Sequence, residues 1–393
     1  MGNLEIMIIL LVFLNSSFPL NSTVACWYNL MLLIFLFLHI NIVFCCWNAL
    51  RTPEYNNFLG TEVRGNTCGL KSKPASCDAF FHGETWPMLL TDAPSSKGLV
   101  KLCQNDMNEG RTFGKTLFAT LYSSNERIPV YTANIVSLSP NASHSPRPSN
   151  HYWDRVSLSL CSLSEIPTGP IHSMIGDVDA CLERVDCGRF QATANDYKNN
   201  EMGLDRGHLS PNSINNEDEK KQLGTFTLTN AAPQYANFNR FSWREFECVT
   251  QQSILELAPN ENVYVMTGTY GTALDDKGDA IWLNSDSVNG KNPVKVPGFY
   301  WKAVCYPGNK TFGATAWAYA LIEENINVRK VASYKSYINI KEFSNKYFET
   351  DIFGVDCMEA DFGSFGRLVF PYWSEYLKRH CFVSSKRNIK NEL

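Results

Sequence analysis

The order of elements predicts an α+β domain around an antiparallel-rich sheet. Strand-like runs come first, one long helical stretch follows, and further strand-like runs close the chain. No internal repeat, low-complexity tract or linker divides residues 65–375, so one domain is expected there. Phe118 to Ser124 and Ile128 to Leu138 are apolar, β-branched runs joined by Asn125-Glu126-Arg127, a hairpin signal. Ser137 to Asn150, rich in Ser, Pro and His, reads as an exposed loop. Thr225 to Thr229 alternates with period two, as a half-buried strand does. From Ala236 to Leu257 the pattern is helical, and Pro259 stops it. Asn262 to Thr267, Phe299 to Tyr306 and Thr311 to Ile322 read as further strands, the last two linked by a Pro307-Gly308-Asn309 turn.

The chain has 393 residues, 44% hydrophobic and 13% aromatic, which is ample for a packed core. Its net charge is −4 and its pI about 6.0, so the mean charge does not mark a polyanion binder. Attraction for phosphate would have to come from a local basic groove or a bound cation.

Two apolar runs, Ile6 to Leu14 and Leu30 to Cys46, open the chain, separated by a polar stretch with Asn15, Ser16 and Asn21. The first is too short to span a bilayer. The second has the length of a signal-peptide core or a marginal transmembrane helix, and it contains His39 and Asn41. Met31 stands at its start, so a cleaved signal beginning there is the first reading and a retained signal-anchor the second. Residues 1–49 are thus read as targeting segment and 50–393 as a single lumenal domain, with membrane contact only if the segment is retained. Thirteen cysteines fit this, because ten of them (Cys68, Cys77, Cys103, Cys161, Cys181, Cys187, Cys248, Cys305, Cys357, Cys381) lie beyond that segment. No Cys-x-x-Cys pair occurs, and up to five disulfides in an oxidising compartment are expected. Asn141-Ala142-Ser143 and Asn309-Lys310-Thr311 are glycosylation sequons. The ending Lys390-Asn391-Glu392-Leu393 is one residue from the lysine-aspartate-glutamate-leucine retrieval signal, so the endoplasmic reticulum lumen or secretion is expected.

Chemistry concentrates in two segments. Asp205-Arg206-Gly207-His208 offers a base in His208 and a cation in Arg206, held by a small residue. Downstream come Asn230, Gln234 and then Asn239, Trp243 and Glu247 on the expected helix. Spacings of four and eight residues let Asn239 and Glu247 drift only about 80° around an α-helix. An amide oxygen and a carboxylate on one side are hard donors that suit magnesium. The competing reading is a solvated polar face with Trp243 in the core.

These strings together, with Thr229-Asn230-Ala231-Ala232-Pro233-Gln234, resemble the DNA/RNA non-specific endonuclease family, which includes bacterial sugar-non-specific nucleases and mitochondrial endonuclease G. The likeness extends upstream to Gln191 through Tyr197, and downstream to Val263 through Gly268 and Val296 through Lys302. Asp78 to His82, Val100 to Gln104 and Phe118 to Tyr131 resemble a lumenal or secreted branch typified by endonuclease domain-containing 1 protein. The resemblance implies a ββα-metal motif holding one divalent ion, magnesium or else manganese, and no organic cofactor. It implies His208 as general base, Asn239 as direct ligand, Glu247 as anchor of a metal-bound water and Arg206 as phosphate stabiliser. Asn230 and Gln234 would support the site, and Asp205 would be a structural partner of neighbouring backbone. DNA and RNA would both be cut through phosphate contacts. Lys291, Lys295, Lys302, Lys310, Arg329 and Lys330 are candidate groove walls, while each taken singly reads as ordinary solvated surface. Monomer or homodimer stays open. The alternative is a catalytically silent lumenal binding or scaffold protein that keeps the fold.

Overall fold

A computed structural model describes residues 77–382, apart from 91–97, 106–115, 284–292, most of 143–189, and positions 199 and 218. The apolar N-terminal runs, Met31, Cys68, Cys161, Cys181, Cys187, Lys291 and the last four residues lie outside the described residues. The described residues belong to one unit, Gly60–Leu393.

An eight-stranded sheet organises this unit. Its strands are β1 (Leu99–Asn105), β2 (Thr116–Ser123), β3 (Ile128–Val136), β4 (Ile171–His172), β7 (Val263–Tyr270), β8 (Phe299–Tyr306), β9 (Trp317–Glu324) and β10 (Tyr337–Ile338). They run in the order β10-β9-β8-β7-β3-β2-β1-β4, antiparallel throughout except for the parallel edge pair β1 and β4. Two further strands, β5 (Leu204–His208) and β6 (Ala231–Tyr235), form a separate antiparallel ribbon. The expected fold class, α+β with an antiparallel-rich sheet, is the one observed.

Both faces of the large sheet are covered, so its central strands read as continuous apolar runs. Ala119, Leu121, Tyr131, Ala133, Met266, Trp301, Ala303, Ala318 and Ala320 alternate onto one face, against Ile340, Phe343, Phe348, Ile352 and Phe353. Ile340 and Phe343 come from a helix, Ile340–Tyr347, whose start is capped by the Asn339 side chain. The opposite face meets the ribbon and the long helix. Tyr300 donates its hydroxyl to the Ala232 carbonyl at 3.0 Å, and Tyr319 donates to Thr250 Oγ1 at 3.2 Å.

Disulfides join Cys77 to Cys103, Cys248 to Cys381 and Cys305 to Cys357. Of the sequons, Asn141 sits on an exposed turn. The Asn309 amide nitrogen instead donates to Glu261 at 2.9 Å.

Two element expectations are corrected. Thr225 to Thr229 forms no strand: a helix, Glu219–Thr225, runs into a short 3-10 turn, Leu228–Asn230. The alternation there reflects two kinds of burial instead of one exposed face. Phe226 and Leu228 pack, while Thr225 donates to the Gln222 carbonyl and Thr229 accepts from Gln104 Nε2. Likewise β9 begins at Trp317, not at Thr311, because residues 307–316 make a longer turn with Gly308 and Gly313 at positive φ.

Candidate active site

Sequence order dictates the local geometry. β5 and β6 pair in register, Asp205 opposite Gln234, Gly207 opposite Ala232 and His208 opposite Ala231. β6 passes directly into a continuous helix, here α1, made of Ala236–Phe238, a π-helical turn Asn239–Trp243 and Arg244–Leu257. Two strands and a helix therefore carry every catalytic and metal candidate from the sequence, with Asn230 at the turn leading into β6.

Gly207 is required by the pairing itself. A Cβ at this position would stand 2.3 Å from Gln234 Oε1 and 2.7 Å from Gln234 Cβ. Gln234 is fully buried beside it, and neither end of its amide has a hydrogen-bond partner among the described residues.

Asp205 joins ribbon to helix. Its Oδ2 accepts from Asn239 Nδ2 and from Arg240 Nε, each at 2.9 Å, and its Oδ1 accepts from Arg240 Nη2 at 2.8 Å. The expectation that Asp205 serves neighbouring backbone is thus replaced by a side-chain role. Arg240 went unnoticed in the sequence because nothing in its spacing marks it as Asp205's bidentate partner. Since a carboxylate only accepts, the Asn239 amide must turn its nitrogen toward Asp205. Its oxygen is then the atom left to face a cation.

The π-turn alters the helical bookkeeping in favour of the site. One extra residue in the turn makes the eight-residue step from Asn239 to Glu247 behave like seven on a regular helix. The drift falls from about 80° to about 20°. Asn239 and Glu247 are both partly exposed. Hard oxygen donors on nearly one meridian fit magnesium or manganese, and nothing in the set suits a soft metal.

His208 ends β5. Its ring lies 4.3 Å from the Trp153 ring and 4.9 Å from Phe226, with Thr225 Oγ1 3.5 Å from Nε2. These three residues fix the imidazole, and none was identified from sequence. Arg206 stacks its guanidinium 5.1 Å from the Tyr197 ring centroid, and its buried Nε has no partner among the described residues. Asn230 is fully buried, donating to the carbonyls of Ser210 and Thr225 and accepting from the Ser210 amide, all at 2.9 Å. Its bonds are therefore spent on holding the backbone that follows His208.

Residues 183–352 match the DNA/RNA non-specific endonuclease family. The motif likeness is thereby borne out, and the relatives agree with it. Human endonuclease domain-containing 1 protein is 29% identical over 230 residues, 58% of this chain and 38% of that one. Human mitochondrial endonuclease G is 32% identical over 114 residues, 29% of this chain and 36% of that one. This chain thus spans about two fifths of the length of the curated relatives it matches. A crystal structure of the EndoG/EndoGI complex aligns with a TM-score of 0.47 at 16% identity, covering 75% of this chain and 98% of that one.

The groove-wall lysines divide. Lys302 is fully buried, and Lys295 is nearly so, paired with Glu126 at 2.7 Å beside a cavity also lined by Thr269, Tyr270 and Tyr347. Lys302 sits on β8 inside the large sheet, whereas Lys295 sits on a short antiparallel ribbon of Val294–Lys295 with Trp282–Leu283. Lys310, Arg329 and Lys330 are exposed, and Arg329 lies 4.0 Å over the Phe241 ring on α1.

Proposed function

We propose that this chain is a metal-dependent endonuclease that hydrolyses phosphodiester bonds of DNA and RNA. The observation that carries the reading is the Asp205–Asn239 bond, which aims a ligand amide from the helix of a strand–strand–helix unit whose first strand ends in His208. His208 takes the proton of the attacking water. Water oxygen bonds to phosphorus, the bond to the 3'-oxygen breaks, and that oxygen takes a proton from solvent, leaving 5'-phosphate and 3'-hydroxyl ends. Arg206, half-buried against Tyr197, neutralises charge building on the phosphate. Asn239 would hold magnesium or manganese directly and Glu247 a water bound to it. Such an ion supplies charge stabilisation at the phosphate and leaving oxygen. Contacts to phosphate instead of bases would let DNA and RNA serve alike, with Arg329 beside α1 and its exposed neighbour Lys330 as backbone contacts.

Three disulfides among the described residues support placement in an oxidising, secretory compartment.

Plasmid nicking tests the function. Turnover should require magnesium or manganese, vanish in EDTA, fall about 10²- to 10⁴-fold in His208→Ala and fall strongly in Asn239→Ala. Equal turnover by wild type and His208→Ala would overturn the mechanism. No metal-dependent turnover at all would favour the silent-scaffold alternative.

A further inference from the structure

Lys302 sits mid-strand in β8, with no exposed surface. Its Nζ donates to Thr267 Oγ1 on β7 at 2.6 Å and lies 5.5 Å from the centroid of the Trp243 ring on α1. The register continues this polar position across the sheet, Lys302 opposite Thr267, Thr267 opposite Thr132 and Thr132 opposite Thr120, all buried. A row of hydroxyls supplies hydrogen-bond acceptors but no opposite charge.

Removing an ammonium from water costs several kcal/mol unless an opposite charge compensates it. Burial draws the Lys302 pKa down to about 8, and the Glu247 carboxylate acts against that fall. Glu247 stands one turn beyond Trp243, the residue whose ring Lys302 faces. The lysine therefore rises from the sheet toward the same stretch of α1 that carries the candidate metal residues, and it does so from beneath. Full burial excludes direct contact with a nucleic acid.

We propose that Lys302 is a positioning residue for Glu247, an internal cation beneath Trp243 whose field, acting without a direct bond, holds the carboxylate on the face of α1 it shares with Asn239. The functional part rests on the reading of Glu247 as anchor of a metal-bound water.

Thermal melting in EDTA tests the pair without any turnover. Glu247→Gln strands the buried charge, so it should lower Tm by roughly 3 °C or more in the wild-type background. In a Lys302→Met background the same change should cost under about 1 °C, since no charge remains to be stranded. Equal losses in both backgrounds would overturn the pairing. Should Lys302→Met fail to fold, Lys302→Gln replaces it as background: equal Tm losses from Glu247→Gln again overturn the proposal, and a loss confined to the chain with Lys302 supports it. For the functional part, Lys302→Met should raise half-saturating magnesium about tenfold, and add nothing once Glu247 is Gln. Unchanged magnesium dependence in Lys302→Met overturns the positioning role. Absence of turnover in wild type would instead remove the nuclease reading, and the melting result would stand by itself.

Discussion

Asn239 and Asp205 meet side chain to side chain, Nδ2 donating to Oδ2 at 2.9 Å, and this bond ties α1 to β5. It decides which end of the amide looks outward. Asp205→Ala should release the Asn239 amide and remove one carboxylate partner of Arg240, lowering metal affinity about 10- to 100-fold, as loss of a ligand's supporting partner does elsewhere. Stability should change by under about 1 kcal/mol, because the Arg240 side of the cluster is solvent-exposed. Manganese titration calorimetry and denaturant melts separate the two effects. Wild-type metal affinity in the variant would contradict the assigned role.

Gly207→Ala should destabilise the chain by about 1–3 kcal/mol in denaturant unfolding, as overpacking does. The far end of Gln234 could swing from an added methyl, but its Cβ, 2.7 Å away, is fixed to the strand. Gln234→Ala in the same chain removes the distal atoms alone, so it should restore only part of the loss. Full tolerance of Gly207→Ala would show that the ribbon is looser than its register implies.

Lys302 should also leave a signature in the pH dependence of stability. Its pKa is near 8 when folded against 10.5 ordinarily, so between those values the unfolded chain binds more protons. Stability then rises with pH across that window and the penalty is constant below it. Wild type should gain on Lys302→Met as pH climbs from about 7 to about 9.5. A difference that stays flat would contradict the depressed pKa.

Much of this was legible in the sequence for a local reason. β8 was bounded correctly at Phe299 and Tyr306, and α1 was found because its periodicity and the stop at Pro259 are short-range signals. His208, Asn239 and Glu247 came from motifs of fixed spacing. What escaped depends on partners distant in the chain. Lys302 reads as surface by default, since nothing within several residues announces that β7 and α1 will close over it. Thr225 to Thr229 has a strand's alternation, yet Gln104, 125 positions away, is what Thr229 answers to. Arg240 is one basic residue among many until Asp205 is placed opposite it.

The π-turn at Asn239–Trp243 has a consequence for how this stretch could change in length. Deleting one residue inside the turn would convert it to ordinary α-helix while Asn239 and Glu247 keep nearly the same alignment. Deleting one between Trp243 and Glu247 would swing the carboxylate away by about 100°. Two gaps only a few positions apart would therefore have opposite fates. Length variants that remain active should carry theirs in the first place, never in the second.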